Sequence, residues 1–507
     1  MLETWAISTG SDGSGGSGGS GGAAGSAGAG AAGSGGSRDA EGSSRPASAA
    51  GVDLHLHVDV TGSRVRARLE AALRDGVRAG RLGAGTRLPS SRDLAADLGI
   101  ARNTVADAYG QLVAEGWLEA RTGSGTWVAE RAAPSAEPLR MPVEVAAGPR
   151  YDLRAGVPAV SAFPRRIWLS AARAALNAAD DRVLGYPDPR GHSGLREALA
   201  GYLARARGVI AGPDNVIICA GFTHGLALIC QVLAKRGAAA IATEAYGHRL
   251  HRRIIEAQGL RIVSLPVDAS GASPPAAAAG GAVLTPAHQF PLGMRLAPAR
   301  RTAFVRWAAQ TGGVIIEDDY DGEYRFDRQP VGAVQALAPG QVVYAGTASK
   351  SLAPGLRLGW LVVPDSMIEE VLVAKELSGC FNAVPDQLAL AALIESGAYD
   401  RQIRQSRLVY RRRRDRLIAA LARQAPRVRL TGIAAGLHAV AELGGPDGED
   451  EAVARAALHG VAVEGLGAYA AGEHERGPAL VVGYGRPADH AFTTAVGRLS
   501  AALADRS

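Results

Sequence analysis

Residues 344–359 read Tyr-Ala-Gly-Thr-Ala-Ser-Lys-Ser-Leu-Ala-Pro-Gly-Leu-Arg-Leu-Gly, and the lysine at their centre, Lys350, governs how the rest of the chain is read. The chain has 507 residues but only three lysines, Lys235, Lys350 and Lys375. Arginine supplies nearly every other cation. It serves wherever a plain positive charge suffices, so a retained lysine is a candidate for chemistry that arginine cannot do. A partly buried lysine loses its proton and attacks a carbonyl carbon, whereas arginine stays protonated. Thr347 and Ser349 place hydroxyls beside Lys350, and Arg357 offers a planar fork suited to a phosphate. A phosphorylated aldehyde would engage all of them. The competing reading is a lysine on a surface loop between two strands.

Upstream, Val314-Ile315-Ile316 runs into Glu317-Asp318-Asp319-Tyr320-Asp321-Gly322-Glu323-Tyr324. An apolar run ending in carboxylates places acids at the carboxyl end of a strand, where open α/β sheets bind ligands. Such an acid could keep a pyridine nitrogen protonated, and a tyrosine two residues on could bond a ring hydroxyl. Taken alone, the segment also fits a solvated acidic turn. Pyridoxal 5′-phosphate (PLP) is the aldehyde cofactor that both segments suit.

These two segments, GTASKSLAPGLRLG and EDDYDGEY, together resemble the PLP-binding region of fold-type I aminotransferases. The chain looks most like the MocR-type regulators, which join that domain to a GntR-like DNA-binding head. The resemblance runs from about residue 52 to the C-terminus. It implies an α/β fold: a winged helix-turn-helix domain, then an aminotransferase-like domain with a mainly parallel sheet and a smaller C-terminal subdomain. The expected divisions are a Gly/Ser/Ala-rich tail over 1–51, the DNA-binding domain over 52–130, a linker over 131–149 and the PLP-binding domain over 150–507.

Composition sets bounds on this reading. The apolar fraction is 47%, and no apolar run reaches the eighteen or so residues of a membrane span. The start, Met1-Leu2-Glu3-Thr4-Trp5-Ala6, lacks a basic segment and a hydrophobic core, so a cytoplasmic protein is expected, nucleoid-associated when on DNA. Cys219, Cys230 and Cys380 form no paired motif and read as buried thiols; no metal site is expected. Net charge is +6, yet residues 51–130 hold ten arginines against ten acids. The DNA argument therefore rests on motif, not on net charge.

Within the head, Val65, Leu69, Leu73 and Val77 recur at steps of four and predict an amphipathic helix over 63–80. Ser90 and Asp93 resemble a capping box before a short helix that Gly99 ends. Arg102-Asn103-Thr104 open the next helix, whose apolar face is Val105, Tyr109, Leu112 and Val113. Two short helices around a Gly-containing turn read as helix-turn-helix, with the second in the major groove. Trp117 to Arg121, a turn at Thr122-Gly123-Ser124-Gly125, and Thr126-Trp127-Val128 read as the wing. The expected partner is double-stranded operator DNA. The candidate contacts are Ser90, Ser91, Arg92, Arg102, Asn103, Thr104, Arg121, Gly123 and Ser124. Ala101 stands where such heads often carry a capping serine.

Beyond the head, Pro134, Pro138, Pro142 and Pro149 mark the linker, and the twenty residues 130–149 reach roughly 65 Å when extended. Short apolar runs then alternate with helical patterns: 216–219, 239–242, 261–265, 282–285, 314–316, 342–344 and 359–363 are the expected strands of a mainly parallel sheet.

The resemblance fills in the site. It makes Lys350 the Schiff-base amine, and Asp318 and Tyr320 the partners of the ring nitrogen and ring oxygen. Thr347, Ser349 and Arg357 fall beside the phosphate, which Gly221, Phe222 and Thr223 cradle at a helix N-terminus. His248 takes the place of the usual stacking aromatic. Tyr186 reaches the phosphate of the partner subunit, which implies a homodimer with heads crossing to the partner. Phe290 replaces an asparagine, so one bond to the ring hydroxyl is lost and Tyr320 must supply the remainder. Residues 479–485 are apolar where aminotransferases place a substrate-carboxylate arginine, and Arg486 is near but out of register. These departures favour a regulator that senses PLP or an amino compound, an amine or amino-acid effector, over sustained turnover. At most a transaminase half-reaction is expected. The alternative is an active aminotransferase with an accessory DNA-binding module. Arg401, Arg404, Arg407, Arg411, Arg412, Arg413, Arg414 and Arg416 crowd one helical stretch, which reads as a solvated face or as a contact with DNA phosphates.

Overall fold

The structure is a computed structural model that describes residues 64–130, 149–326, 331–445, 448–472 and 476–504. The tail over 1–51 and nearly all of the expected linker lie outside the described residues. The chain divides into two compact units, Met1–Glu144 and Val145–Ser507, and the division falls inside the stretch read as linker.

The first unit holds helices α1 (Val65–Arg78), α2 (Ser91–Leu98) and α3 (Arg102–Ala114) and the hairpin β1 (Leu118–Arg121) and β2 (Gly125–Val128). Leu69, Leu73 and Val77 of α1 pack with Leu94, Val105, Tyr109, Leu112, Leu118 and Val128 into one small core. Ser90 caps α2 by accepting the Asp93 N–H, and Gly99 ends it in the left-handed region at φ 65°. The expected capping box is only half formed. The Asp93 carboxylate is too short to reach the Ser90 N–H and instead accepts from the Ser90 hydroxyl at 2.7 Å. Ala101 begins α3 with no side-chain cap. The wing pairs antiparallel, Leu118 to Val128 and Arg121 to Gly125.

The second unit opens with β3 (Tyr151–Asp152), α4 (Arg165–Ala178) and α5 (Ser193–Arg207). Next come β4 (Val216–Cys219), α6 (Phe222–Lys235), β5 (Ala240–Glu244), α7 (Arg249–Ala257) and β6 (Arg261–Leu265). A short pair, β7 (Val267–Asp268) and β8 (Gly271–Ala272), precedes β9 (Gly281–Leu284), α8 (Pro298–Thr311) and β10 (Val314–Asp318). The sheet is completed by β11 (Val342–Thr347), followed by the single turn α9 (Ala348–Ser351), and by β12 (Gly359–Val362). Strand order is β4-β12-β11-β10-β9-β5-β6. β11, β10, β9, β5 and β6 run parallel, and β12 alone is antiparallel to its neighbours. Each expected strand is a strand of this sheet.

Both faces of the sheet are covered, because alternate residues point to opposite sides. Ile217, Ile316, Val343 and Leu361 pack with α6 on one side, while Ile218, Tyr344 and Trp360 pack with α5 on the other. Gly346 is forced by this packing: a Cβ there would lie 2.2 Å from the Trp360 ring on the paired strand.

The smaller subdomain follows α10 (Ile368–Leu377), α11 (Val384–Glu395) and the long α12 (Ala398–Gln424). It contains β13 (Arg429–Thr431), β14 (His438–Glu442), α13 (Glu449–Leu458), β15 (Val461–Ala462), β16 (Glu464–Gly465), β17 (Ala479–Gly483) and α14 (Asp489–Ala504). Its sheet runs β13-β14-β17-β16, and β15 pairs with β3. Cys219 and Cys230 are buried as expected, whereas Cys380 is half-exposed.

Candidate functional site

The carboxyl ends of β4, β5, β9, β10 and β11 meet on one edge of the sheet, above a cavity of about 740 Å³. That size suits a small cofactor with a ligand beside it. Gly221, Phe222, Thr223, His248, Asp318, Tyr320, Thr347, Ser349, Lys350 and Arg357 all line it. Tyr186 does not. It stands fully exposed elsewhere on the surface.

Lys350 sits on α9, directly after β11, and its Nζ donates to the Gly156 carbonyl at 2.6 Å. Burial lowers its pKa, and the nearby Asp318 and Asp321 partly oppose that shift. Lys350 is thus a cavity lysine on a helical turn and not one on a surface loop.

The acids around it are buried as well, which removes the solvated-turn reading. Glu317 accepts the Val334 and Gln335 N–H groups, both at 2.9 Å, and burial pushes it up to about 7. Asp319 holds the Arg207 guanidinium at 2.5 and 3.0 Å and accepts from the Tyr344 hydroxyl at 2.7 Å. Asp318 differs from these neighbours. It is 5% exposed, lines the cavity, and its Oδ1 has no hydrogen-bond partner. Burial first, then the charges of Asp319, Asp321 and Glu244, raise its pKa well above the carboxylate range, against the pull of Lys350. A buried acceptor without a donor is costly. A protonated ring nitrogen brought into this cavity would relieve that cost.

At the other end of the cavity, Gly221 precedes α6 at φ 90°, and α6 presents its first N–H groups there. Gly359 approaches so closely that a Cβ on it would lie 2.7 Å from the Gly221 Cα. Arg357 has φ 50°, the one positive φ among the described non-glycine residues. This bend brings its guanidinium beside Gly221, 3.5 Å from where a Cβ there would sit. Ser349, capped through Thr347, adds a buried hydroxyl. An exposed guanidinium, a hydroxyl and a helix N-terminus make an anion cradle that fits a phosphate.

His248 caps α7, and its ring stacks on His251 with centroids 5.1 Å apart. Burial and the Lys350 charge lower the pKa of His248, so it offers a neutral stacking face. Tyr320 lines the cavity, and its hydroxyl lies 3.0 Å from the His288 carbonyl, to which it donates, and 3.1 Å from His288 Nδ1. Phe290 packs edge-on against Tyr320, His438 and Tyr469. Glu244 accepts from Thr285 and from Gln289, and burial raises it to about 7. His288, Asp321 and His438 bring possible metal-ligand atoms within 4.8 Å of one another. Their contacts are those of a hydrogen-bonded set: His288 Nδ1 meets Asp321 at 2.8 Å, and His438 Nε2 meets the Pro291 carbonyl at 3.1 Å.

Some lining residues were not foreseen. Arg154 and Gly156 come from the stretch after β3, and Glu464 and Tyr469 come from the smaller subdomain. Arg486 was expected near the site and is there. It is out of register with the aminotransferase arginine, yet it lines the cavity and pairs, like Arg154, with Asp152. Only the YDLR segment hinted at this, since Asp and Arg two apart favour a local ion pair.

In the head, Arg92, Arg102, Asn103, Arg121, Gly123 and Ser124 are exposed, and Ser91 and Thr104 are half-buried. Arg102, Asn103 and Thr104 form the first turn of α3. Arg121 lies 5.1 Å from the Trp127 ring centroid. The Ser90 hydroxyl is engaged by Asp93, so this residue serves the cap.

Comparison with known proteins gives two family matches: Aminotransferase class I and II over residues 153–463, and Bacterial regulatory proteins, gntR family, over residues 65–128. The chain is 33% identical over 376 residues to the probable rhizopine catabolism regulatory protein MocR of Rhizobium meliloti, covering 69% of this chain and 76% of that one. It is 32% identical over 412 residues to the HTH-type pyridoxine biosynthesis transcriptional regulator PdxR of Corynebacterium glutamicum, covering 79% and 88%. It is 34% identical over 394 residues to the uncharacterized HTH-type transcriptional regulator YhdI of Bacillus subtilis, covering 75% and 83%. Among solved structures, Pyrococcus horikoshii kynurenine aminotransferase superposes with a TM-score of 0.62 at 23% identity, covering 69% of this chain and 90% of that one; this likeness concerns the fold.

Proposed function

The chain belongs to the MocR-type regulators of the GntR family, DNA-binding transcriptional regulators with an aminotransferase-like domain, and from there we propose that the second unit holds PLP and reports its state to the head. The observation that carries this reading is the partnerless Asp318 oxygen sharing a cavity with Lys350. When bound, PLP supplies an aldehyde carbon and an electron-withdrawing ring. Asp318 holds the ring nitrogen by charge and hydrogen bond. Arg357, Ser349 and the N-terminus of α6 hold the phosphate. His248 stacks on the ring, and Tyr320 accepts a bond at the ring oxygen. Lys350, its charge disfavoured by burial and its amine now on the Gly156 carbonyl, would be the residue that holds the cofactor covalently.

Tyr186, free of its own chain's site, reaches the phosphate cradle of a second copy, and a homodimer presents two heads to an operator with two-fold symmetry. This reading places the protein in the cytoplasm; no described helix is long and apolar enough to cross a membrane. An amine or amino acid acts as effector only if it binds one conformation of the dimer more tightly than the other.

Lys350→Ala is expected to abolish the absorbance band that PLP gives with the parent protein. An unchanged band in the variant rejects the assignment. A second reading, an active aminotransferase, draws support from Arg154 and Arg486 at the cavity wall, which could hold a substrate carboxylate. Sustained release of 2-oxo acid from amino donors would establish that reading in place of the first.

A further inference from the structure

The long helix α12 carries nine arginines against two aspartates, a charge of +7 in 27 residues, while the whole chain carries +6. One helix therefore holds the entire positive excess. Three of these arginines are not fully exposed, and Arg401 and Arg412 donate to the nearby Ser396 and Leu408 carbonyls. Arg413 is buried and donates to the Tyr484 and Gly485 carbonyls and to Asp489; Arg407 donates to the Glu323 carbonyl; Arg414 is half-buried. The other six, Arg401, Arg404, Arg411, Arg412, Arg416 and Arg423, are exposed. None of these six lies within ion-pair distance of a carboxylate among the described residues.

At 3.6 residues per turn the six fall within an arc of about 140°, and at 1.5 Å per residue they span about 33 Å. Like charges three and four residues apart destabilise a helix by about 0.2–0.5 kcal/mol per pair. A merely solvated face would be expected to intersperse acids, and on this face only Asp415 is exposed. The span matches about one turn of duplex DNA, which offers a phosphate charge every 1.7 Å or so of axis. The head cannot supply that neutralisation by net charge, since residues 51–130 balance at ten arginines and ten acids.

We propose that the outer face of α12 binds the phosphate backbone of duplex DNA, as a second, sequence-independent site in addition to that of the winged head. The proposal rests on the reading of this chain as a DNA-binding regulator. The test uses full-length protein and a 60-base-pair random-sequence duplex, with affinity measured by fluorescence anisotropy across a salt series. Parent, R404Q/R411Q/R412Q, R404K/R411K/R412K and Arg102→Ala are compared. Three lost phosphate contacts should flatten the plot of log affinity against log salt by about 2.7, at about 0.9 per contact. The Gln triple variant should also bind at least tenfold more weakly at moderate salt. The Lys triple variant should keep the parent slope, and all variants should keep the PLP absorbance. A parent slope in the Gln variant, with Arg102→Ala weakened, overturns the α12 site and leaves the head's role standing. A parent that binds no duplex at all overturns both.

Discussion

At Asp318 and Lys350 the site depends on two groups whose charges the fold does not settle by itself. An acid with an idle oxygen and an amine resting on a carbonyl wait for a third party. These residues were legible in the sequence because the motifs that hold them are contiguous, each ending one strand. Arg154 and Gly156 were not, because the stretch after β3 is placed at the cavity through the pairing of β3 with β15. His438 was equally hidden, and it carries a prediction. Burial, chiefly, lowers it to about 3, so between pH 6.5 and that value the unfolded chain takes up a proton that the folded chain refuses. Stability is therefore fully present above pH 6.5 and falls as the solution is acidified. Replacing His438 with Gln should shrink the loss in urea stability between pH 7 and pH 5 by about 2 kcal/mol. An unchanged difference would mean that His438 is already charged in the folded protein.

Among the elements, strands were read more securely than helix ends. Six of the expected strands are buried along their whole length, which leaves an apolar run little choice of structure, while the edge strand β6 is exposed at Arg261 and Ser264; the last residue of a strand depends on pairing that sequence spacing does not contain. β11, read as 342–344, extends to Thr347 because β12 pairs with it through Gly346 and Trp360. The opening of α3 was read correctly as uncapped: Ala101 has the extended backbone that a cap requires, φ −67° and ψ 136°, and no oxygen to use it. Ala101→Ser should therefore stabilise the head by about 1 kcal/mol, measured by thermal unfolding. No gain would place the first N–H groups of α3 in contact with some other acceptor.

The linker was read from composition, since a stretch of Ala, Pro and Glu cannot bury a core, but a second copy could be read only through the resemblance. Tyr186 is where that expectation can be tested. Its ring is fully exposed and does not line its own chain's cavity. Tyr186→Phe should weaken PLP binding about tenfold, the value of one hydrogen bond to a charged group, while leaving every cavity-lining residue unchanged. Absorbance titration reads this directly, and equal affinity would exclude the tyrosine from the cradle.

The scarcity of lysine has a practical side. Lys375 is 1% exposed and sealed against the Pro189 and Ile218 carbonyls, so Lys235 is the one freely accessible lysine apart from the cavity amine. Hydride reduction of the PLP-loaded protein therefore has almost no competing side-chain target. A protease that cuts after lysine should then leave residues 236–375 as a single uncut peptide carrying the cofactor's mass, a signature that a lysine-rich protein could not give so cleanly.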